Sequence, residues 1–295
     1  MKTVKLNNGV DMPVFGLGTY KIKPEDARNG VREAIRNGYR LIDTANAYGN
    51  ERAVGRGIKE SGVKREDIFI STKLWVNEYK NENAIDETLE RLGVDYIDLL
   101  FIHQPVGDYL AGYKKLEKAY KEGKIRTIGI SNFYGKALKK ILDNAEIKPQ
   151  VIQVERHPYY TGKDINDILE ENNIQVMAWY PLGHGDKRLI YNSIFKEIGE
   201  KYGKTPVQVI LRWHIQMGYV VIPGSKNVDH IKENLNIFDF ELSKFDMDMI
   251  SVLDREKKYS EINILAKIFF KLLRPKYEKV ALTVVNNQNK KYKFI

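Results

Sequence analysis

Residues 40–74, RLIDTANAYGNERAVGRGIKESGVKREDIFISTKL, contain two short apolar runs separated by a helical pattern. The runs RLIDT and IFISTKL are rich in β-branched and aliphatic residues, and NERAVGRGIKESG between them has helical periodicity. Because both runs are nearly continuous in apolar residues, they are typical of strands buried on both faces of a parallel sheet. This stretch therefore predicts one strand–helix–strand unit.

The same alternation recurs along the chain. Six further runs are VFGLG from Val14, IDLLFIH from Ile97, IRTIGIS from Ile125, VIQVE from Val151, IQVMAW from Ile174 and YVVIPG from Tyr219. Successive starts of the eight runs lie 26, 28, 29, 28, 26, 23 and 45 residues apart. The last and longest interval has room for two helices, the second capped by Thr205 with Pro206 at its first position.

Eight strand–helix units at this length predict an α/β fold, a closed (β/α)8 TIM barrel with its active site on the loops after the strands. The competing arrangement is an open, doubly wound sheet with a dinucleotide-binding fingerprint after the first strand. Gly16 and Gly18 follow that strand, but Lys21 stands where the third glycine of the fingerprint belongs. We therefore expect the barrel.

The composition excludes several classes of protein. The 295 residues include no cysteine, so disulfides, thiolate catalysis and Cys-ligated metal sites are excluded. The net charge of +9 is concentrated beyond Asp254, where 11 Lys and Arg face 3 acidic residues, while the preceding residues carry 37 against 36. Because the body is nearly neutral, we expect no nucleic-acid partner. No signal peptide or membrane span is evident, which predicts a cytoplasmic protein.

The two ends of the chain differ from the repeating body. KLNNGVDMPV predicts a hairpin about Asn8–Gly9 that plugs one end of the barrel. We assign residues 1–258 to the barrel and 259–295 to an atypical C-terminal helix with a basic tail. The helix pattern EINILAKIFFKLLR has apolar Ile262, Leu265, Phe269, Leu272 and Leu273 interleaved with Lys267, Lys271 and Arg274. After Pro275, KVALTVVNNQNKKYKFI is a candidate second hairpin.

For this C-terminal part, we expect a helix docked on the barrel of a monomer, with a solvated basic end. The alternative is a surface for an anionic partner, for membrane headgroups or for self-association.

Ionisable side chains stand where three successive strands end. Asp43 ends the second run, Lys73 the third and His103 the fourth, while Tyr48 follows Asp43 by five residues. Polar groups at the ends of buried strands are costly unless they are paired or functional, and adjacent barrel strands lie about 5 Å apart. The alternative is a structural Asp43–Lys73 salt bridge, a surface tyrosine and a hydrogen-bonded core histidine. Because all four residues lie at the same depth in the predicted barrel, a functional site is favoured over this structural alternative.

These side chains suit proton delivery to a carbonyl. Asp43 would keep Lys73 protonated, and the ammonium would bring the pKa of Tyr48 down to a useful value near neutrality. His103 could orient the carbonyl oxygen or relay its proton. Lys73 is also a possible nucleophile, so a Schiff-base lyase is the alternative chemistry.

At this point the chain resembles the aldo-keto reductases over residues 1–256. The resemblance rests on GLGTY, RLIDTANAYGNERAVG, ISTKLW, LGVDYIDLLFIHQP, IGISNF, QVERHPY, MAWYPLG and VIPGSKNVDHIKEN. It implies a (β/α)8 barrel that reduces aldehydes and ketones with NADPH or, less often, NADH. It places the catalytic tetrad on Asp43, Tyr48, Lys73 and His103, with Tyr48 protonating the oxygen as hydride attacks carbon. A catalytically silent NAD(P)-binding module is a further alternative.

The resemblance also implies positions for the cofactor. The nicotinamide end would be bound by Ser131, Asn132 and Gln153, which would hold the carboxamide, and by Trp179, which would stack on the ring. Gly18 and Thr19 would form first-loop contacts. Leu182 and Gly183 would flank the pyrophosphate, and Glu233 and Asn234 would contact the adenine. Structural alternatives exist for single members of this set. Ser131 could cap the next helix, and Trp179 could be core.

The chain departs from the family pattern at the adenosine end, where two usual cationic positions are Gly224 and His230. Ser225, Lys226 and His230 at a helix start could still reach a 2′-phosphate, so NADPH is the first choice, with NADH or dual use as alternatives.

The expected substrate-pocket residues are Tyr20, Trp75 and Gln104. Gln104 stands where many members that bind aromatic carbonyls have Trp, and Tyr180 crowds the same region, which favours a small, polar substrate. No metal site is expected, because His157, His184 and His214 lack ligand spacing.

Overall fold

The computed structural model describes residues 1–260 and 263–275, so the candidate hairpin after Pro275 lies outside the described residues. The strands are β1 Thr3–Lys5, β2 Asp11–Pro13, β3 Gly16–Gly18, β4 Leu41–Asp43, β5 Phe69–Leu74, β6 Leu99–Ile102, β7 Ile128–Ser131, β8 Val151–Glu155, β9 Gln175–Trp179 and β10 Val220–Val221. The α-helices are α1 Pro24–Arg36, α2 Glu51–Ser61, α3 Ala84–Leu92, α4 Tyr109–Lys121, α5 Gly135–Asn144, α6 Lys163–Glu171, α7 Lys187–Ile190, α8 Ser193–Tyr202, α9 Pro206–Gln216, α10 Val228–Leu235, α11 Lys244–Ser251 and α12 Ile264–Leu272. All eight predicted runs contain a strand.

Strands β3 to β10 form one parallel sheet in sequence order. Parallel bridges from Phe15 to Val221 and from Gly18 to Gly224 join its two edges, and the Gly18 N–H donates to the Pro223 carbonyl at 3.2 Å. A Cβ on Gly18 would lie 2.9 Å from the Ile222 carbonyl oxygen, so this closure requires glycine. The closed barrel is confirmed, and the open-sheet alternative is wrong.

The N-terminal hairpin plugs the amino end of the barrel. Strands β1 and β2 pair in antiparallel fashion, and the turn between them includes Gly9 at φ +86°. The side-chain amides of Asn7 and Asn8 donate to carbonyls of Pro149 and Arg126, which lie just before β8 and β7. Leu6 and Met12 of the hairpin complete a buried cluster with barrel residues Leu41, Phe69, Leu99, Phe101, Val151, Met177, Val220 and Ile222.

The helices surround the barrel with their apolar sides inward, as their periodicity predicts. Between β9 and β10 lie α8 and α9, as predicted, together with the short α7. Thr205 begins α9 with a capping box: its hydroxyl accepts the Gln208 N–H, and the Gln208 side chain accepts the Thr205 N–H. This cap stops α8 and α9 from merging into one helix.

The predicted C-terminal helix is present as α12, but its docked side differs from the predicted stripe. Among the side chains that the structure describes, Ala266, Phe270 and Leu273 are partly buried; of these only Leu273 belongs to the predicted stripe, whose Leu265, Phe269 and Leu272 are exposed. The side of the helix that faces the barrel is therefore a second apolar side. An apolar stripe in the sequence does not show which side of a helix is packed. Across residues 1–260 and 263–275, no helix is both long and apolar enough to cross a bilayer.

Candidate active site

The four predicted side chains converge at the carboxyl end of the barrel. Asp43 is the last residue of β4, Lys73 is the penultimate residue of β5, and His103 directly follows β6. Tyr48 ends a short 3-10 turn, Asn46–Tyr48, which follows β4. Three neighbouring strands and one turn thus present all four side chains to the same place.

Asp43 and Lys73 form a buried ion pair at the base of the site. The Lys73 ammonium donates to Asp43 Oδ2 at 2.6 Å and to the Thr44 carbonyl at 2.8 Å. The other Asp43 oxygen accepts the Ser71 hydroxyl at 2.7 Å and the Gln153 amide at 3.0 Å. Burial lowers the pKa of Lys73, and the Asp43 carboxylate opposes that change. The pair is therefore held rigidly, with the ammonium bound on one side by Asp43.

Tyr48 lies directly above this pair. The Lys73 ammonium is 5.0 Å from the centroid of the Tyr48 ring, and the Tyr20 ring packs on Tyr48 at a centroid distance of 5.0 Å. Burial raises the pKa of Tyr48 well above its usual value, and the charge of Asp43 adds to the increase. This direction is opposite to the expected lowering toward neutrality, because desolvation and the Asp43 charge both raise the pKa of Tyr48. The phenol consequently stays protonated at neutral pH.

His103 forms the adjacent wall. Its ring centroid is 5.9 Å from that of Tyr48 and 4.9 Å from that of Trp75, which it meets edge to face. Burial, and then the charge of Lys73, lower the pKa of His103 well below its usual value. Its Nδ1 is buried without a hydrogen-bond partner among the described residues. The imidazole is therefore neutral, with one N–H to donate to an oxygen in the cleft.

A cleft of about 720 Å³ opens above these side chains. Six of the expected cofactor residues line it: Gly18, Ser131, Asn132, Gln153, Trp179 and Leu182. The Trp179 indole donates to Asn132 Oδ1 at 3.1 Å, which fixes the orientation of both side chains. Ser131 does not cap the next helix, because α5 begins at Gly135 with Tyr134 before it. The structure thus gathers these six expected positions around one cavity.

The other expected cofactor positions lie outside the cleft lining. Thr19 is buried, and its hydroxyl and N–H both donate to the Asp43 carbonyl at 3.0 Å. Gly183 allows the Tyr259 ring to pack on it, because a Cβ there would lie 2.8 Å from that ring. The Glu233 carboxylate accepts the Thr205 hydroxyl at 2.7 Å, and Asn234 is buried. These residues have structural contacts of their own.

The start of α10 carries the remaining positions. Ser225 bonds the backbone of Asn227, whose side chain caps the helix, and His230 is exposed. The Lys226 ammonium lies 3.6 Å from an Asp26 carboxylate oxygen. Gly224 lines the cleft next to this segment. Within the described residues, no cluster of three metal-ligating side chains occurs.

The cleft is also lined by residues that the sequence did not indicate as part of a site. Tyr20, Trp75 and Gln104 line it as expected, together with Ser260, Phe269, Phe270 and Leu273 from the C-terminal segment. The Phe270 ring meets that of Trp75 edge to face at 5.3 Å. These four residues lie beyond the end of the family pattern, so only a helix docked over the barrel mouth could have pointed to them.

Glu155, the last residue of β8, fastens the C-terminal segment to the barrel. Its two carboxylate oxygens accept the Tyr259 N–H at 2.5 Å and the Ser260 N–H at 3.1 Å. The Tyr259 hydroxyl in turn donates to Asp186 at 2.7 Å, in the loop that follows β9. Glu155 is fully buried, so these bonds are made away from water. We infer that Glu155 is a positioning residue for the wall formed by Ser260 and Phe270.

For the carbonyl reduction that the resemblance implies, we expect Glu155→Gln to raise KM for the carbonyl about tenfold and to leave kcat within about twofold, because the amide oxygen can accept only one of the two N–H groups. Steady-state kinetics would measure both parameters. The control is Glu117→Gln, at another buried carboxylate, where a single oxygen, Oε1, accepts both the Glu146 and Ile147 N–H groups at 2.7 and 2.9 Å before β8, so that the amide oxygen can keep both. An equal KM change in both variants would show that Glu155 contributes only stability.

Comparisons with known proteins agree on one family. Residues 14–255 match the sequence model described as the Aldo/keto reductase family. The glyoxal reductase of Bacillus subtilis (strain 168) is 49% identical over 87% of this chain and 94% of its own. Methylglyoxal reductase DkgA of Escherichia coli (strain K12) is 37% identical over 86% of this chain and 94% of its own. Among solved structures, MGS-M4, an aldo-keto reductase from a deep-sea metagenome library, is 42% identical with a TM-score of 0.85, covering 88% of this chain and 97% of that one.

Proposed function

Because the chain belongs to the aldo-keto reductase family, we propose that this oxidoreductase reduces a small aldehyde or ketone to the alcohol, with Tyr48 as the proton donor. The observation that carries the proposal is the convergence of Tyr48, His103 and the Asp43–Lys73 pair on one cleft. Members of the family use NAD(P)H, which supplies the hydride when bound.

The protein side chains provide the proton and the charge balance. The carbonyl oxygen would accept hydrogen bonds from the protonated Tyr48 phenol and from the neutral His103 imidazole. With hydride supplied to the carbon by the bound nucleotide, Tyr48 would give its phenolic proton to the carbonyl oxygen. The Lys73 ammonium, 5.0 Å from the ring centroid, would stabilise the resulting phenolate, and Asp43 keeps that ammonium in place.

The cleft suits a nicotinamide cofactor. The hydroxyl of Ser131 and the amides of Asn132 and Gln153 offer donors and acceptors for a carboxamide, and the Trp179 indole offers an aromatic surface beside them. Leu182 lines the same cleft and is the residue we assign to the passage of the pyrophosphate. With these residues the cofactor would be held next to the Tyr48 phenol.

The substrate we propose is a small dicarbonyl. The relatives named for glyoxal and methylglyoxal reduction support this class. In this chain, Trp75 and Phe270 narrow the cleft, and Gln104 adds a polar group whose buried Oε1 has no hydrogen-bond partner among the described residues. A compact, polar substrate fits these walls better than a large aromatic one.

A panel of dicarbonyls, aldehydes and keto-sugars, each assayed with NADPH and with NADH, tests the proposal. We expect carbonyl-dependent loss of nicotinamide absorbance, fastest with the small dicarbonyls. A chain that binds the nucleotide without turnover would instead be a silent binding module. Trapping of substrate on Lys73 by borohydride would favour a lyase, although the Lys73 ammonium already donates to Asp43 and to the Thr44 carbonyl.

NADPH is the cofactor we propose, because Lys226 and His230 stand at the start of α10, where a helix N-terminus favours a phosphate. We expect Lys226→Met to lower kcat/KM for NADPH about tenfold and to leave the value for NADH unchanged. Lys232→Met, on the same helix, is the matched control and should alter neither. Equal loss with both nucleotides would mean that Lys226 does not meet the 2′-phosphate.

We also propose that residues 1–258 form the barrel, that residues 259–295 are an appended segment and not a separate domain, and that the enzyme is a cytoplasmic monomer. The family match that ends at residue 255 supports the boundary of the barrel.

A further inference from the structure

Helix α12 turns a stripe of large apolar side chains to solvent. Leu265 is 75% exposed, Ile268 50%, Phe269 58% and Leu272 71%. Their spacing of three, one and three residues places them on one side of the helix. The partly buried Ala266, Phe270 and Leu273 lie on a different side, and Phe270 contacts Trp75 at the cleft. One side of α12 therefore packs on the barrel, while Leu265, Ile268 and Leu272 have no cover among the described residues; Phe269, at the edge of the stripe, also lines the cleft.

This concentration of exposed apolar groups occurs nowhere else in the described ranges. The other large apolar residues that are exposed are Met1, Tyr20, Tyr191, Met217, Phe238, Phe245, Val252 and Tyr259, which are scattered in sequence. Single exposed apolar residues are ordinary, whereas a contiguous patch marks an interaction surface. The stripe of α12 is thus the candidate surface of this chain.

The charge around the stripe indicates what it contacts. Lys271 borders the stripe, Lys267 lies farther round the helix on its polar side, and Arg274 follows the last helical residue. Among residues 1–260 and 263–275, no carboxylate forms an ion pair with any of the three. Residues 255–295 together carry a net charge of +8, against +1 for the rest of the chain. A second copy of the chain would bring two such positive segments together, and residues 276–295 are themselves basic. Charge complementarity therefore favours an anionic partner.

We propose that α12 docks on the surface of an anionic lipid bilayer. The apolar stripe would enter the boundary between headgroups and acyl chains, and the cationic side chains would meet the headgroups. The helix has nine residues, about 13 Å of length, so it lies on the bilayer rather than crossing it. Because Phe270 and Leu273 on its inner side line the cleft, docking would place the active-site mouth beside the lipid surface.

Sedimentation with vesicles tests this docking on the full chain. We expect the protein to sediment with phosphatidylcholine vesicles that contain about one third phosphatidylserine, and not with phosphatidylcholine alone. Raising the salt from about 0.05 M to about 0.5 M should release most of it, because the headgroup attraction is screened.

Two variants separate the apolar from the ionic contribution. Leu265→Gln, Ile268→Gln and Leu272→Gln together should weaken vesicle binding at least about a hundredfold. Lys267→Gln, Lys271→Gln and Arg274→Gln together should weaken it roughly fivefold for each charge removed. The matched control combines Tyr191→Gln, Phe245→Gln and Val252→Gln, which are equally exposed elsewhere, and should bind like the wild type. Circular dichroism and Tm would establish that each variant folds.

Three outcomes would overturn the proposal. The first is no sedimentation with anionic vesicles at low salt, and the second is equal binding to neutral vesicles. The third is a dimer in sedimentation velocity without lipid that the Leu265, Ile268 and Leu272 variant abolishes, since this would make a second copy the occupant. Loss of vesicle binding in the apolar variant but not in its control would support the docking.

Discussion

Tyr48→Phe is expected to lower kcat for carbonyl reduction by about a hundredfold to ten-thousandfold, because phenylalanine cannot deliver a proton to the oxygen. The ring remains available to pack against Tyr20 and beside His103, so the chain should fold normally. The raised pKa of Tyr48 adds a pH signature. An acid is lost as pH rises through its pKa, so wild-type reduction should stay level through neutral pH and fall only in the strongly alkaline range.

Steady-state kinetics on both proteins, with nucleotide binding followed by tryptophan fluorescence, would check this expectation. Tyr20→Phe is the control, because its ring lies 5.0 Å from that of Tyr48 and we assign it no proton transfer. We expect Tyr20→Phe to keep kcat within about threefold and Tyr48→Phe to bind nucleotide normally. A Tyr48→Phe variant with near wild-type kcat would remove the phenol from the mechanism.

Asp43→Asn is expected to lower both stability and activity by large amounts. The substitution leaves the Lys73 ammonium buried without the Asp43 charge, and only neutral oxygens, such as the Thr44 carbonyl, can then accept its hydrogen bonds. Breaking a buried ion pair from one side costs about 3–5 kcal/mol in unfolding free energy. Burial would then lower the pKa of Lys73 further, and the neutral amine could no longer stabilise the Tyr48 phenolate. Denaturant unfolding and kcat measure the two effects.

Two companion variants separate these effects. Adding Lys73→Met to Asp43→Asn removes the unpaired charge, so part of the stability should return while activity stays low. Asp98→Asn is the control, because this buried carboxylate binds Arg65 and Arg126 at 2.7 and 2.8 Å before β6, at the amino end of the strands. It should lose stability and keep its kcat. Full activity in folded Asp43→Asn would show that the pair is only structural.

The sequence was sufficient for the barrel and for the gathering of the tetrad. Parallel barrel strands all end on one face, so polar residues that end successive apolar runs must meet there. Asp43, Lys73 and His103 follow this rule, and Tyr48 follows from the short turn after β4. Once eight strand–helix units are recognised in the sequence, their order along the chain predicts the order of the strands in the barrel and the closure of the sheet.

Properties that depend on the surroundings of a side chain could not be predicted in this way. The direction of the pKa of Tyr48 depends on how much water the finished cleft excludes, which no spacing of residues reveals. The contact of Glu155 with Tyr259 and Ser260 joins residues 104 and 105 positions apart in the chain. The orientation of α12 likewise depends on packing against Trp75.

The most direct test of the central claim is one assay that follows both reactants. Wild-type protein is mixed with glyoxal and NADPH, and nucleotide loss and alcohol formation are quantified in parallel with the Tyr48→Phe variant. We expect one alcohol formed for each nucleotide oxidised by the wild type, and at least a hundredfold slower reaction in the variant. Nucleotide oxidation without alcohol, or equal rates in the two proteins, would contradict the account.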